Sequence, residues 1–180
     1  MRKIVVAEFI SLDGVVETPE QWHMPYADEE LMGAVGAVQG RIDTMLLGRV
    51  TYETFAGAFA GAPADDPIVA QMNRLSKVVV SSTLTDPTWE NSTVLAGDVA
   101  DGVRGLKARP GADILVTGSI TLVRSLLRAG LVDELNLLVH PLVVGSGERL
   151  FEADGPNVPL TLTSSQVLAS GVTNAFYSVN

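Results

Sequence analysis

No cysteine occurs in the 180 residues, which excludes a disulfide framework, a thiolate metal site and a cysteine nucleophile together. Histidine is nearly as scarce. His23 and His140 stand alone, outside any His-Glu-x-x-His pattern, so no metal site is expected. Basic residues are few: 12 Lys plus Arg against 21 acids give a formal net charge of -9. Scattered as they are, they form no basic patch of the kind a nucleic acid requires. No apolar run approaches the roughly 18 residues of a membrane span. The opening apolar run is broken by Glu8 and lacks a small-residue cleavage site, so no signal peptide is expected and a cytoplasmic setting is. What the chain does have is apolar mass. With 47% hydrophobic and 18% charged residues it can build a core, and its length predicts one domain spanning 1–180.

Hydrophobic periodicity alternates between strand and helix. Residues 4–10 form a β-branched, mostly apolar run of the buried-strand type. Leu31, Val35 and Val38 fall at helical spacing and predict a helix over 28–39, with acids in its first turn. Further strands are predicted at 44–47, 77–81, 93–95, 114–117 and 134–139, separated by helices near 51–56, 68–75, 99–106 and 119–129. The Ala-, Gly- and Pro-rich stretch 56–67 reads as a loop or lid edge rather than a linker, because the rhythm continues across it. The last two strands, 160–164 and 173–179, have no helix between them and should pair antiparallel at an edge. The expectation is an α/β fold with a mixed, mostly parallel sheet of about eight strands and helices on both faces.

Three strand-to-helix turns share one chemistry. Gly48, Arg49 and Thr51 follow the second strand; Ser81 and Ser82 end the third; Thr117, Gly118 and Ser119 precede a helix. Each puts backbone N–H groups, hydroxyls or a cation at the carboxyl end of a strand, where α/β sheets bind anionic ligands. Together they suggest a groove for dinucleotide phosphates, although neither a Gly-x-Gly-x-x-Gly nor a Walker sequence occurs. Glu8 is the other conspicuous residue, since a carboxylate on a buried strand must be paired, at an edge or beside a pocket. Asp13-Gly14 also reads as a plain turn, the acids at 28–30 as partners of the helix macrodipole, and Arg49 as a partner of Glu53 one helical turn on. His23 is expected at the surface, and His140, before Pro141, at the end of a strand.

In that order, Gly48-Arg49-Val50-Thr51-Tyr52-Glu53, Val79-Val80-Ser81-Ser82 and Val116-Thr117-Gly118-Ser119 resemble the cofactor motifs of dihydrofolate reductase. Gln21-Trp22-His23-Met24-Pro25 looks like that family's active-site loop. Ser11-Leu12-Asp13-Gly14, Gly130-Leu131-Val132-Asp133-Glu134 and Gly145-Ser146-Gly147-Glu148 are more similar still to stand-alone relatives of the C-terminal domain of the bacterial riboflavin-biosynthesis reductase. The resemblance implies the dihydrofolate-reductase-like three-layer fold and NADPH lying along the sheet. Thr51, Thr117, Gly118 and Ser119 would then lie by the pyrophosphate, with Ile120, Thr121 and Leu122 behind it. Arg49 and Ser82 would lie by the adenosine ribose and its 2′-phosphate, and Gly48 and Ser81 belong to the same cofactor motifs. The nicotinamide would rest near Glu8 and Phe9, under a pocket roofed by Asp13 and Trp22.

The implied activity is hydride transfer from NADPH to a small heterocycle of pteridine or pyrimidine type, or to a carbonyl, as in dihydrofolate reductase or 5-amino-6-(5-phosphoribosylamino)uracil reductase. The proton would come from water or from a carboxylate, Asp13 or one of Asp28 and Glu29. The alternative is a module that binds NADPH without turnover. A homodimer is expected from the resemblance and from the apolar strand Leu135-Asn136-Leu137-Leu138-Val139.

Overall fold

The structure is a computed structural model that describes residues 1–63 and 65–180. Its β-branched runs become an eight-stranded sheet in the order β4-β3-β2-β5-β1-β6-β8-β7. The strands are β1 (Ile4–Ser11), β2 (Ile42–Gly48), β3 (Ser76–Val80), β4 (Ser92–Leu95), β5 (Asp113–Val116), β6 (Glu134–His140), β7 (Leu160–Val167) and β8 (Thr173–Val179). The pairings from β4 through to β6 are parallel, and β8 lies antiparallel to both β6 and β7. The mixed sheet and its antiparallel edge are as the periodicity predicts.

Five helices cover it: α1 (Glu29–Gln39), α2 (Arg49–Phe59), α3 (Pro67–Arg74), α4 (Val99–Ala108) and α5 (Ile120–Arg128). Helix starts follow ordinary capping chemistry. Asp28, Asp66 and Asp98 each accept a backbone N–H from the first turn of α1, α3 and α4. On one face Val103 and Leu106 of α4 and Leu122, Val123 and Leu126 of α5 pack against Ile4, Val6 and Val116. On the other, Val38 of α1, Tyr52 of α2 and Met72 of α3 pack against Val5, Leu47 and Leu115. The stretch 56–67 is less loop-like than its composition suggests, because α2 continues to Phe59. Its apolar side has a use: Phe59 stacks on Trp89, with ring centroids 6.2 Å apart.

One irregularity positions everything that follows. β5 pairs with β1 only from Ile4↔Ile114 to Val6↔Val116, whereas β1 continues along β6 to Ser11↔His140. On its other side β5 pairs with β2 no further than Met45↔Leu115, while β2 continues along β3 to Gly48↔Val80. The central strand therefore stops early, and the carboxyl ends of β1 and β2 flank an opening.

β6 lies between β1 and β8 with Leu135, Leu137 and Leu138 buried. Its apolar run is explained by this interior place, so the strand cannot supply the dimer surface expected of it. β7, in contrast, is an exposed edge strand along its whole length. No helix among the described residues is long and apolar enough to cross a membrane.

Candidate functional site

The opening beyond β5 is bordered by the turn Thr117-Gly118-Ser119 and, across it, by the start of α2. Gly118 and Ser119 both adopt left-handed backbone angles, with φ 59° and 52°. For Ser119 this is a conformation that non-glycine residues rarely hold, and such residues concentrate at functional turns. The turn is stitched to its neighbour. Ser119 N–H donates to Thr51 Oγ1 at 2.9 Å, and Gly48 N–H donates to Ser119 Oγ at 3.0 Å. A Cβ at Gly118 would lie 3.0 Å from Thr51 Cγ2, so glycine is required there by both angle and space. Gly48 differs: its φ is -73° and a Cβ would meet Ser119 at an ordinary 3.7 Å. The protein's own packing does not demand glycine at that position.

The N–H groups of Ile120, Thr121 and Leu122 open α5 and have no partner within the helix, which makes its positive end a natural place for a phosphate. Their side chains do other work: Leu122 is buried in the core and Ile120 packs against it. Arg49 opens α2 and forks onto Glu53, with Nη1 2.9 and 2.8 Å from the two carboxylate oxygens. Ser81 Oγ accepts the N–H groups of Thr83 and Leu84, shaping the turn after β3, and Ser82 is exposed beside it. The structure thus gathers the turns at 48–51 and 117–119 into one hydrogen-bonded unit, with 81–82 at the end of neighbouring β3.

Behind the opening lies a cavity of about 200 Å³ between the sheet and helices α1, α2 and α3. Its wall is apolar except for Glu8, Gln39, Thr117 and Asn136. Phe9 lines it, but Trp22 does not; the indole N–H donates to Glu17 O at 3.0 Å and the ring stands edge-on to His140. Glu8 is the exceptional group. It is 6% exposed, its Oε1 has no hydrogen-bond partner, and burial pushes its carboxyl well above the ordinary carboxylate range. The nearby Gly118 backbone offsets that rise only in part.

None of the acids expected to supply a proton lines the cavity. Asp13 is a brace. Its carboxylate accepts Ser11 Oγ–H at 2.7 Å and the N–H groups of Val144 and Gly145 at 3.0 and 2.9 Å. These bonds, the Ser11 hydroxyl foremost, hold its pKa at about 2, so at neutral pH it has no proton to give. Asp28 caps α1 through Leu31 N–H at 2.8 Å, and Glu29 is exposed in the first turn. The geometry therefore replaces a proton-supplying Asp13 with a structural one, because two backbone donors more than a hundred residues away in sequence converge on it.

His23 is also not the surface residue expected. It stacks on Phe9, centroids 4.6 Å apart, and its Nδ1 is buried without a partner. Asn136, Phe55 and Phe59 are cavity residues that sequence reasoning passed over. Only Asn136 left a signal, as one polar residue inside an otherwise apolar strand run.

The same fold occurs in a putative riboflavin biosynthesis protein from Shewanella sp. PV-4, with TM-score 0.75, 19% identity and 99% of each chain covered. It also occurs in the dihydrofolate reductase of Enterococcus faecalis complexed with NADP(H), with TM-score 0.66, 16% identity, and coverage of 99% of this chain and 96% of that one. The fold is therefore dihydrofolate-reductase-like. In sequence the chain is 28% identical to YyaP of Bacillus subtilis (strain 168), itself uncharacterized, over 99% of this chain and 96% of the relative. Residues 2–174 match the RibD C-terminal domain, and the chain belongs to that family.

Proposed function

We propose that this protein is an NADPH-dependent reductase that transfers a hydride to a small heterocyclic or carbonyl substrate. The observation that carries the reading is the stitched pair of turns, Gly48–Thr51 with Thr117–Ser119, set at the positive end of α5 directly beside an apolar cavity. The turn fits a dinucleotide: two consecutive left-handed residues lead into the start of α5, whose first-turn N–H groups lie where an anion is favoured. Family membership and a fold neighbour complexed with NADP(H) support the same reading. Bound NADPH supplies the hydride.

The chain's own residues do the rest. The N–H groups at the start of α5 hold the pyrophosphate beside Gly118; Ser119 and Thr51 fix the turn's shape; and Arg49, with Ser81 and Ser82, takes the adenosine end. Phe9 and the apolar wall exclude water from the reacting carbon. None of Asp13, Asp28 and Glu29 borders the cavity, whereas Glu8 does, and burial raises its carboxyl pKa well above the ordinary carboxylate range. Glu8 is thus the acid placed to exchange a proton at the reaction site, in place of those three. The single domain acts in the cytoplasm on a small molecule, as a homodimer.

Calorimetric titration of NADPH, followed by NADPH oxidation assays with pterins, pyrimidines and small carbonyls, tests the proposal. Binding with oxidation in the presence of one of these substrates is the expected result. Binding without any oxidation would instead identify a cofactor-binding module, and no binding would end the nucleotide reading.

A further inference from the structure

The two halves of the opening have opposite chemistry. Its turn side offers N–H groups, hydroxyls and Arg49, whereas no Lys, Arg or His side chain lines the cavity among the described residues. Four polar side chains interrupt the cavity's oily wall, and two of them are already constrained. Glu8 is 6% exposed and lies by the Gly118 backbone. Asn136 is 1% exposed and donates its Nδ2 to Asn174 Oδ1 at 2.6 Å, so it brings an amide oxygen, an acceptor, to the wall. Thr117 adds a hydroxyl, which can donate or accept.

An anionic group entering this space would lose its hydration and find no cation. The net charge of -9 adds a long-range bias against anions in the same direction. Size sets a second limit: an apolar cavity of about 150 Å³ accepts benzene. A space of about 200 Å³ therefore suits one ring or a small fused pair.

We propose that the part of the substrate that enters this cavity is an uncharged, flat ring with one or two hydrogen-bonding groups, bearing no phosphate or carboxylate within it. This rests on the reductase reading for its chemistry, but the cavity's preference for neutral rings can be measured without any turnover.

The test uses the full chain and three matched probes: 4-methylbenzaldehyde, 4-formylbenzoate and 4-formylphenyl phosphate. Calorimetric binding should favour the neutral aldehyde by at least about tenfold over both anions. Ile68 lines the cavity from α3 yet is 44% exposed, so a charge can be placed there without entering the core. Ile68→Lys should narrow or reverse the preference against 4-formylbenzoate, and Ile68→Glu should widen it. Equal or tighter binding of either anion by the unmodified protein, failure of the neutral aldehyde to bind, or indifference to both substitutions would overturn the proposal. NADPH is titrated into the same samples. A protein that takes the neutral aldehyde but not NADPH would sink the reductase reading and leave the cavity assignment standing.

Discussion

The backbone N–H of Ser119 and the hydroxyl of Thr51 meet at 2.9 Å, joining the start of α5 to the start of α2 across the sheet opening. Thr51→Val keeps the shape and removes the acceptor, leaving a half-buried N–H without its partner. The expected loss is about 1–3 kcal/mol of stability in urea unfolding. Thr51→Ser should retain most of it. If the turn holds pyrophosphate, Thr51→Val should also weaken NADPH in a direct titration, and Thr51→Ser should not.

Gly118 gives a sharper case, because angle and space both oppose a side chain. Gly118→Ala should cost about 1–2 kcal/mol through its left-handed backbone alone, with a further penalty from Thr51 Cγ2 at 3.0 Å. Adding Thr51→Ser removes that methyl and should return the steric part, leaving the backbone part. A double-mutant cycle by denaturant unfolding measures the coupling. Simple additivity would mean that the turn relaxes away from Thr51.

Arg49 has two possible partners in succession. In this structure it holds Glu53, an exposed pair spaced one helical turn apart and worth about 0.2–0.5 kcal/mol. Glu53→Gln should therefore leave the melting temperature nearly unchanged while freeing the guanidinium, and NADPH should bind more tightly with NADH unaffected. Arg49→Ala should weaken NADPH by roughly tenfold to a hundredfold, the scale of a charge-assisted bond, and leave NADH alone. Parallel titrations of both cofactors decide. Equal effects on the two would remove Arg49 from 2′-phosphate recognition.

Acid should loosen the loop that carries Trp22, His23 and Tyr26. His140 is fully buried, its Nδ1–H donates to Leu138 O at 2.8 Å, and its Nε2 has no partner. Its ring meets Phe9, Trp22 and Tyr26 edge-on. Burial lowers the pKa of His140 and of His23 below the ordinary 6.5. The unfolded chain thus takes up protons first, so stability is full above about 6.5 and declines as pH falls towards the folded values. Melting temperatures between pH 7.5 and 5 should show that decline. His140→Phe should flatten it, and an unchanged slope would mean that other groups set the acid response.

Much of the fold was legible because each strand and helix buries a face of its own period. The β-branched run of β1 and the spacing of Leu31, Val35 and Val38 on α1 needed no distant information. The antiparallel end was legible too, since two strand patterns with no helix between them leave few other connections. The site was legible only where its signals are local, as in the turns at Gly48 and Gly118. The two readings of Asp13, proton source or turn residue, stayed open in the sequence because its donors, Val144 and Gly145, reach it through tertiary structure. Nothing in a local window separates a carboxylate near a pocket from one pinned by a loop. The apolar run of β6 spoke of burial, and sequence alone could not say whether a second chain or the sheet itself provides it. Phe59 was hidden by composition, sitting among Ala and Gly on a helix that continues further than those residues suggest.

The early end of β5 has a consequence for where the molecule opens. Past Val6, the side of β1 that faces β5 has no ladder to hold it, although it lies in the middle of an eight-stranded sheet. Backbone amides there should exchange with deuterium faster than those of the fully paired β2–β3 ladder, inverting the usual pattern of a protected centre and a fraying rim. A molecule filling the gap would stand in for the missing strand, so protection on binding should grow outward from the sheet's middle.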